Sequence, residues 1–194
     1  MLTTNHQKFE TKNVAVKGLI GQFHKKITQA IADLHPTNVL ELGCGEGFLL
    51  EQIHRRLPDV TLLGLDTLDQ ALINGRRLFP HLKLESGDIY DIKQPNNSWD
   101  VVVASEVLEH LEHPDRALHE LRRVAKKYVV LSVPWEPWFQ LGSLGRGKHV
   151  TRLGNHPEHI NHWSRSGFRK FVEKFLAVEK IPGSFPWTIL LARV

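Results

Sequence analysis

Apolar positions along the chain fall into two rhythms that alternate. Val16, Leu19, Ile20, Phe23, Ile27, Ala30, Ile31 and Leu34 recur at helical spacing and predict a helix over about 14–35. His35-Pro36 stops it. Val39 to Leu42 then reads as a short buried strand that runs into Gly43, Gly45 and Gly47, and an amphipathic helix from Phe48 to Leu57 follows at once. The same alternation continues with a strand over Val60 to Asp66, a helix over Leu68 to Phe79 and a strand over Lys83 to Ile89. Trp99 to Ser105 is nearly all apolar, as a parallel strand covered on both faces must be. A helix over Pro114 to Ala125 opens with proline, a fifth strand covers Tyr128 to Val133, and Ser164 is placed to cap a helix over Arg165 to Phe175. The last two strands, Ala177 to Ile181 and Thr188 to Val194, are joined by a turn too short for a parallel crossover, so they should pair antiparallel. Five strand–helix alternations and a terminal hairpin predict an α/β three-layer sandwich, and 194 residues suit one domain, 1–194.

The glycine turn brings the first chemistry. Glycines tolerate a sharp turn and let the backbone approach a ligand, and the N–H groups of a helix start face that ligand. A dinucleotide turn reads G-x-G-x-x-G, but here the third glycine comes one residue early and Phe48 fills the slot. Glu41, just ahead of the turn, would repel a pyrophosphate and suits an ammonium group. Asp66, nineteen residues past Gly47, falls where an acid meets ribose hydroxyls, or else caps the next helix.

With Glu41-Leu42-Gly43-Cys44-Gly45-Glu46-Gly47 in place, the chain resembles the class I S-adenosylmethionine (SAM) methyltransferases of the type 11/12 kind, whose first phrase is E/D-x-G-x-G-x-G. That resemblance implies a Rossmann-like, mostly parallel seven-stranded sheet of order 3-2-1-4-5-7-6 with the last strand antiparallel. It implies SAM as cofactor and S-adenosylhomocysteine (SAH) as product. The implied cofactor-binding residues are Glu41, Gly43, Cys44, Gly45, Gly47, Asp66, Thr67, Leu68, Asp88, Ile89, Ser105 and Glu106. Asp88 would accept from the adenine amino group, with Ile89 on one face of the ring and Thr67 and Leu68 on the other. The bland alternative is a tight turn that binds nothing.

Ser105-Glu106-Val107-Leu108-Glu109-His110 is the second informative stretch. On a helical turn Glu106, Glu109 and His110 stand at i, i+3 and i+4 and converge. The later phrase His159-Ile160-Asn161-His162-Trp163-Ser164-Arg165 is similar to the H-x-x-x-W-[ST]-R phrase of the small-RNA 3′-terminal 2′-O-methyltransferases. Matched residue by residue, that local resemblance implies a Mg²⁺, Mn²⁺ or Fe²⁺ site made of Glu106, Glu109, His110 and His159. The alternative is that Glu106 orients cofactor or substrate, Glu109 caps or pairs, and His110 packs or, like His159, serves as general base. The candidate catalytic residues are therefore His110, His159 and Glu109.

Residues 135–163 make a long connection on the side of the sheet where open α/β folds bind ligands, and they predict a substrate lid. Trp135, Trp138, Phe139 and Trp163 suggest an apolar or ring-bearing substrate surface, with Arg146, Lys148 and Arg152 available for an anionic group. His149, His156, His159 and His162 crowd the same stretch.

Composition changes little. Net charge is +4 and spread along the chain, which leaves RNA open as a partner without asking for it. The single cysteine, Cys44, excludes a disulfide framework, and the chain shows neither a signal-peptide core nor a membrane-spanning run, so a cytoplasmic protein is expected. The expected activity is methyl transfer to an oxygen of a small or lipid-linked metabolite. Its rivals are a metal-assisted RNA 3′-terminal 2′-O-methyltransferase and a SAM-binding protein without turnover. The pattern sets neither the acceptor nor the oligomeric state.

Overall fold

A computed structural model describes residues 13–135 and 159–194. The helix α1 (Val14–Ala32) leads into β1 (Asn38–Leu42), α2 (Phe48–Arg56), β2 (Thr61–Asp66), α3 (Asp69–Leu78) and β3 (Leu84–Ser86). Next come β4 (Trp99–Ser105), a 3-10 turn at Leu108–His110, α4 (Pro114–Val124) and β5 (Ala125–Pro134). After residues 136–158 the chain continues through α5 (Arg165–Val172), β6 (Ala177–Lys180), the two-residue β7 (Gly183–Ser184) and β8 (Trp187–Arg193). The sheet order is β3-β2-β1-β4-β5-β8-β6, with β7 also pairing with β8. Strands β1 to β5 run parallel, and β8 is antiparallel to both β5 and β6. Counting the seven longer strands, this is the expected 3-2-1-4-5-7-6 order.

Period-two alternation sorts the strands into two cores. Val101 and Val103 of β4 pack with Val39, Val130 and Ile189 under Phe23, Ile27 and Ile31 of α1. Val102 and Ala104, pointing the other way, pack with Leu40, Leu42 and Leu131 under Leu118 and Leu121 of α4 and Phe168 of α5. All of these side chains are buried, and each contributes on the order of 1–3 kcal/mol by leaving water. No helix among the described residues is long and apolar enough to cross a membrane.

One expectation needs correction. The first helix ends at Ala32 rather than near 35, because Asp33 and Leu34 form a turn and His35 takes φ 47°. The β3–β4 crossover contains no helix. Arg123 of α4 holds it as a loop, donating to the carbonyls of Ile92 (2.7 Å) and Gln94 (2.9 Å) and to Asn96 Oδ1 (2.8 Å). Register then brings the carboxyl ends of β1, β2, β4 and β5 to one edge, where Leu42 lies opposite Leu65 and Ala104, and Ser105 opposite Ser132.

Candidate functional site

At that edge the glycine turn takes a conformation other residues resist. Gly43, Gly45 and Gly47 have φ of 70°, 54° and 82°, the left-handed region that a side chain disfavours. At Gly43 space forbids one as well, since a Cβ would lie 2.4 Å from Val107 Cγ2. The turn is anchored to β2, because the N–H groups of Gly43 and Cys44 both donate to the Leu65 carbonyl, at 2.8 and 3.1 Å. Asp66 completes the tie: its Oδ2 accepts the Gly45 N–H at 2.7 Å and its Oδ1 accepts the Leu68 N–H at 2.8 Å. It does not cap α3, which begins after Leu68 without a side-chain cap.

Glu41 lies beneath this turn, 3% exposed, and its Oε2 has no hydrogen-bond partner. Burial first, and the neighbouring Asp66 charge second, push its carboxyl well above the usual range, while a hydrogen bond from the Leu50 backbone pulls the other way. A buried carboxylate oxygen left open at the mouth of a glycine turn suits a cation. Burial, then Glu41, also push the Cys44 thiol up, so it stays protonated and inert. Glu46, fully buried in the same turn, is a residue the sequence reading passed over.

Further along the edge, Thr67 is exposed and Leu68 is 60% exposed, an apolar face left open to solvent. Asp88 is exposed and accepts the Tyr90 N–H at 2.8 Å. Ile89 is buried in the core on the α4 side.

After β4 the chain makes its own sharp turn. Glu106 takes φ 61°, with its N–H donating to the Ser132 carbonyl at 3.0 Å, while the hydroxyls of Ser105 and Ser132 share a 2.9 Å hydrogen bond. Only Leu108–His110 form a helical turn, of the 3-10 kind. The expected i, i+3, i+4 convergence therefore fails for Glu106. Glu109, His110 and His159 do come together, each offering a ligand atom within 4.8 Å of the others. The His110 and His159 rings lie edge to face with centroids 4.9 Å apart.

His159 reaches this place because residues 159–164 form a strap over the 3-10 turn. The N–H groups of Ile160 and Asn161 both donate to the Glu109 carbonyl, at 2.8 and 3.0 Å. The Asn161 side chain donates to the carbonyls of Leu108 (3.2 Å) and Leu111 (2.6 Å). Asn161 is thus a latch that sequence reasoning missed, as it missed Val107 and Ser132. Ser132 alone left a signal, a hydroxyl in an otherwise apolar strand. Ser164 ends the strap by capping α5, its Oγ accepting the Gly167 N–H at 3.1 Å. Trp163, half-buried, stacks on Phe171 at 5.5 Å and packs with Phe168 against the core. Trp138, Phe139, Arg146, Lys148, His149, Arg152 and His156, and with them most of the expected lid, lie outside the described residues.

Comparison with known proteins agrees with this architecture. Residues 39–128 match the family model of a methyltransferase domain. Over 88 residues the chain is 35% identical to a trans-aconitate 2-methyltransferase of Methylobacterium nodulans, covering 45% of this chain and 34% of that protein. It spans a third to a half of the length of the curated relatives it matches, 34% and 46% for the first two. Among solved structures, the methyltransferase domain of bacterial CtHen1 superposes with a TM-score of 0.71 at 20% identity, covering 91% of this chain and all of that one. Magnesium protoporphyrin IX methyltransferase of Synechocystis with bound SAH gives a TM-score of 0.70 at 14% identity, covering all of this chain and 88% of that one. Strand order, glycine turn and matched residues converge: the chain carries a class I SAM-dependent methyltransferase domain of the type 11/12 kind.

Proposed function

We propose that the chain transfers a methyl group from SAM to an oxygen of a small or lipid-linked metabolite, with the small metabolite favoured by the trans-aconitate name of its relatives. The observation that carries this reading is the open, buried Oε2 of Glu41 under a positive-φ glycine turn. It is a ready partner for the positively charged methionine portion of SAM. SAM supplies the chemistry, an activated sulfonium methyl whose S–C bond breaks as the O–C bond forms.

The protein's part is placement. The turn from Gly43 to Gly47 lets the backbone close on the cofactor. Asp66 already accepts two N–H groups, and a carboxylate has about four lone-pair sites, so acceptor capacity remains for ribose hydroxyls. Asp88 is assigned to the adenine edge, and Thr67 and Leu68 to the ring face that stands open. Ile89 limits the opposite side from within the core. Ser105 and Glu106 are assigned to the methionine end, where the Ser105–Ser132 hydroxyl pair fixes the edge. His110 and His159, aligned beside Glu109, take the proton when the acceptor is a hydroxyl.

The test is transfer of label from methyl-labelled SAM to a panel of hydroxy and carboxylic acids. SAH formation that depends on acceptor supports the reading. SAM binding without turnover on any acceptor would favour a non-catalytic SAM-binding protein.

A second reading rests on the Glu109, His110 and His159 cluster. One carboxylate and two imidazoles fit a transition-metal ion, Fe²⁺ first and Mn²⁺ after it, better than Mg²⁺, which takes oxygen ligands. Such an ion would lower the pKa of an acceptor hydroxyl, and a ribose end of RNA is the acceptor this reading favours. Glu106 falls outside the cluster, so only three of the four expected ligands stand together. Loss of turnover on dialysis against EDTA, restored by Mn²⁺, would support this reading. Turnover indifferent to chelator would exclude it.

A further inference from the structure

Arg165, Trp135 and Phe185 come from three separate parts of the chain and meet beyond the carboxyl end of β5. Trp135 follows β5, its N–H donating to the Pro186 carbonyl at 2.9 Å. Arg165 opens α5, with its guanidinium carbon 3.8 Å from the centre of the Trp135 ring. Phe185, between β7 and β8, stands edge-on to Trp135 at 6.0 Å and is 53% exposed.

Arg165 differs from four other arginines of the fold. Arg55, Arg123, Arg169 and Arg193 each hold a glutamate. Arg165 is half-buried, and no carboxylate pairs with it among the described residues. The first turn of α5 contains no acidic residue either, so the charge of Arg165 adds to the positive end of the helix dipole instead of offsetting it. A guanidinium stacked flat on an indole keeps its N–H edge free, and that edge forms two parallel hydrogen bonds to one planar anion. The position is also apt. Arg165 lies six residues beyond His159 on the strap and its capped helix, and β5 is the immediate neighbour of β4, from whose end Glu109 and His110 project.

We infer that Arg165 anchors a carboxylate of the methyl acceptor, with Trp135 and Phe185 forming the apolar wall beside it. The anchored carboxylate is not the group methylated: the receiving oxygen lies toward His110 and His159. This inference rests on the methyl-transfer reading and adds the class of acceptor to it.

The experiment is calorimetric titration of the SAH-loaded protein with trans-aconitate, citrate and 4-hydroxybenzoate, with inorganic phosphate and the trimethyl ester of trans-aconitate as comparisons. At least one free acid should bind, and the ester should not. Arg165→Met keeps an unbranched stem on Trp135 and removes the charge. It should weaken the acid about tenfold or more, leave SAH affinity within about twofold, and keep the melting temperature near wild type. Arg165→Lys should fall between, because an ammonium cannot form the paired bonds. Equal acid binding by Arg165→Met, or no binding by any free acid while SAH binds, would overturn the inference. Binding of phosphate in place of every acid would overturn it in favour of a phosphorylated acceptor. Failure of SAH itself to bind would instead refute the methyl-transfer reading on which the inference stands.

Discussion

The two halves of the site are built in opposite ways. On the cofactor side, Glu41 and Gly43 to Gly47 are neighbours in the chain, and the end of β2 holds them through backbone N–H groups, at the Leu65 carbonyl and the Asp66 carboxylate. On the acceptor side, Glu109 and His110 meet His159, while Asn161 reaches back 53 residues to the Leu108 carbonyl. The first half is a backbone conformation that few sequences tolerate. The second is a set of side-chain and strap contacts that many sequences can make. Damage should therefore be severe and conformational on the cofactor side, and graded and chemical on the acceptor side.

The largest effect is expected at Gly43. Gly43→Ala places a Cβ 2.4 Å from Val107 Cγ2 at φ 70°, and the left-handed conformation alone costs about 1–2 kcal/mol. SAM affinity should fall by about 100-fold or more as the turn deforms. Adding Val107→Ala should recover the part due to the clash but not the part due to φ. Calorimetry on the single and double variants separates the two contributions.

Glu41→Gln comes next, with a loss of SAM affinity of about tenfold and a changed pH dependence. Because the folded carboxyl is raised above its ordinary value, its contribution to stability is fully present below the unfolded value and declines as pH rises through the folded one. The cofactor-free protein should thus lose stability between acid and neutral pH, and Glu41→Gln should flatten that decline in thermal melts. Binding of a cation favours the ionised form, so SAM binding should release protons. Titrations in buffers of different ionisation enthalpy would detect this in the wild type and find it reduced in the variant.

Asn161→Leu should act on the acceptor side alone. It leaves the Leu108 and Leu111 carbonyls without their side-chain donor, at about 1–2 kcal/mol. Turnover should fall about tenfold as His159 loses its register with His110, while SAM affinity is unchanged. The smallest effect belongs to the opposite end of the sheet. Lys127, 47% exposed in side chain, pairs with the buried Asp100 at 3.0 Å, but Asp100 also accepts from the N–H and hydroxyl of Thr37. Lys127→Met should cost under about 1 kcal/mol in a denaturant melt and leave turnover alone.

The same contrast explains what was legible in the sequence. Glycine spacing and strand alternation report backbone conformation directly, so the turn was readable from Val39 to Gly47 and a buried strand from the apolar run at β4, while the sheet order followed only from the family that the glycine phrase resembles. The cap reading of Asp66 failed because its carboxylate is committed to Gly45 and Leu68. The convergence of Glu106 with Glu109 failed because spacing arguments assume helical φ, and Glu106 has φ 61°. The packing of Trp163 was not legible because an aromatic residue reads alike whether it faces a substrate or stacks on Phe171. Arg165 looked like a helix-start residue, since its stacking on Trp135 depends on two segments far apart in the chain.

Calorimetric titration of the folded, dialysed protein with SAM tests the central claim most directly. One SAM site per chain, lost in Gly43→Ala and retained in Asn161→Leu, is the result the account predicts. No heat and no thermal stabilisation by SAM, in a protein that melts cooperatively, would contradict it.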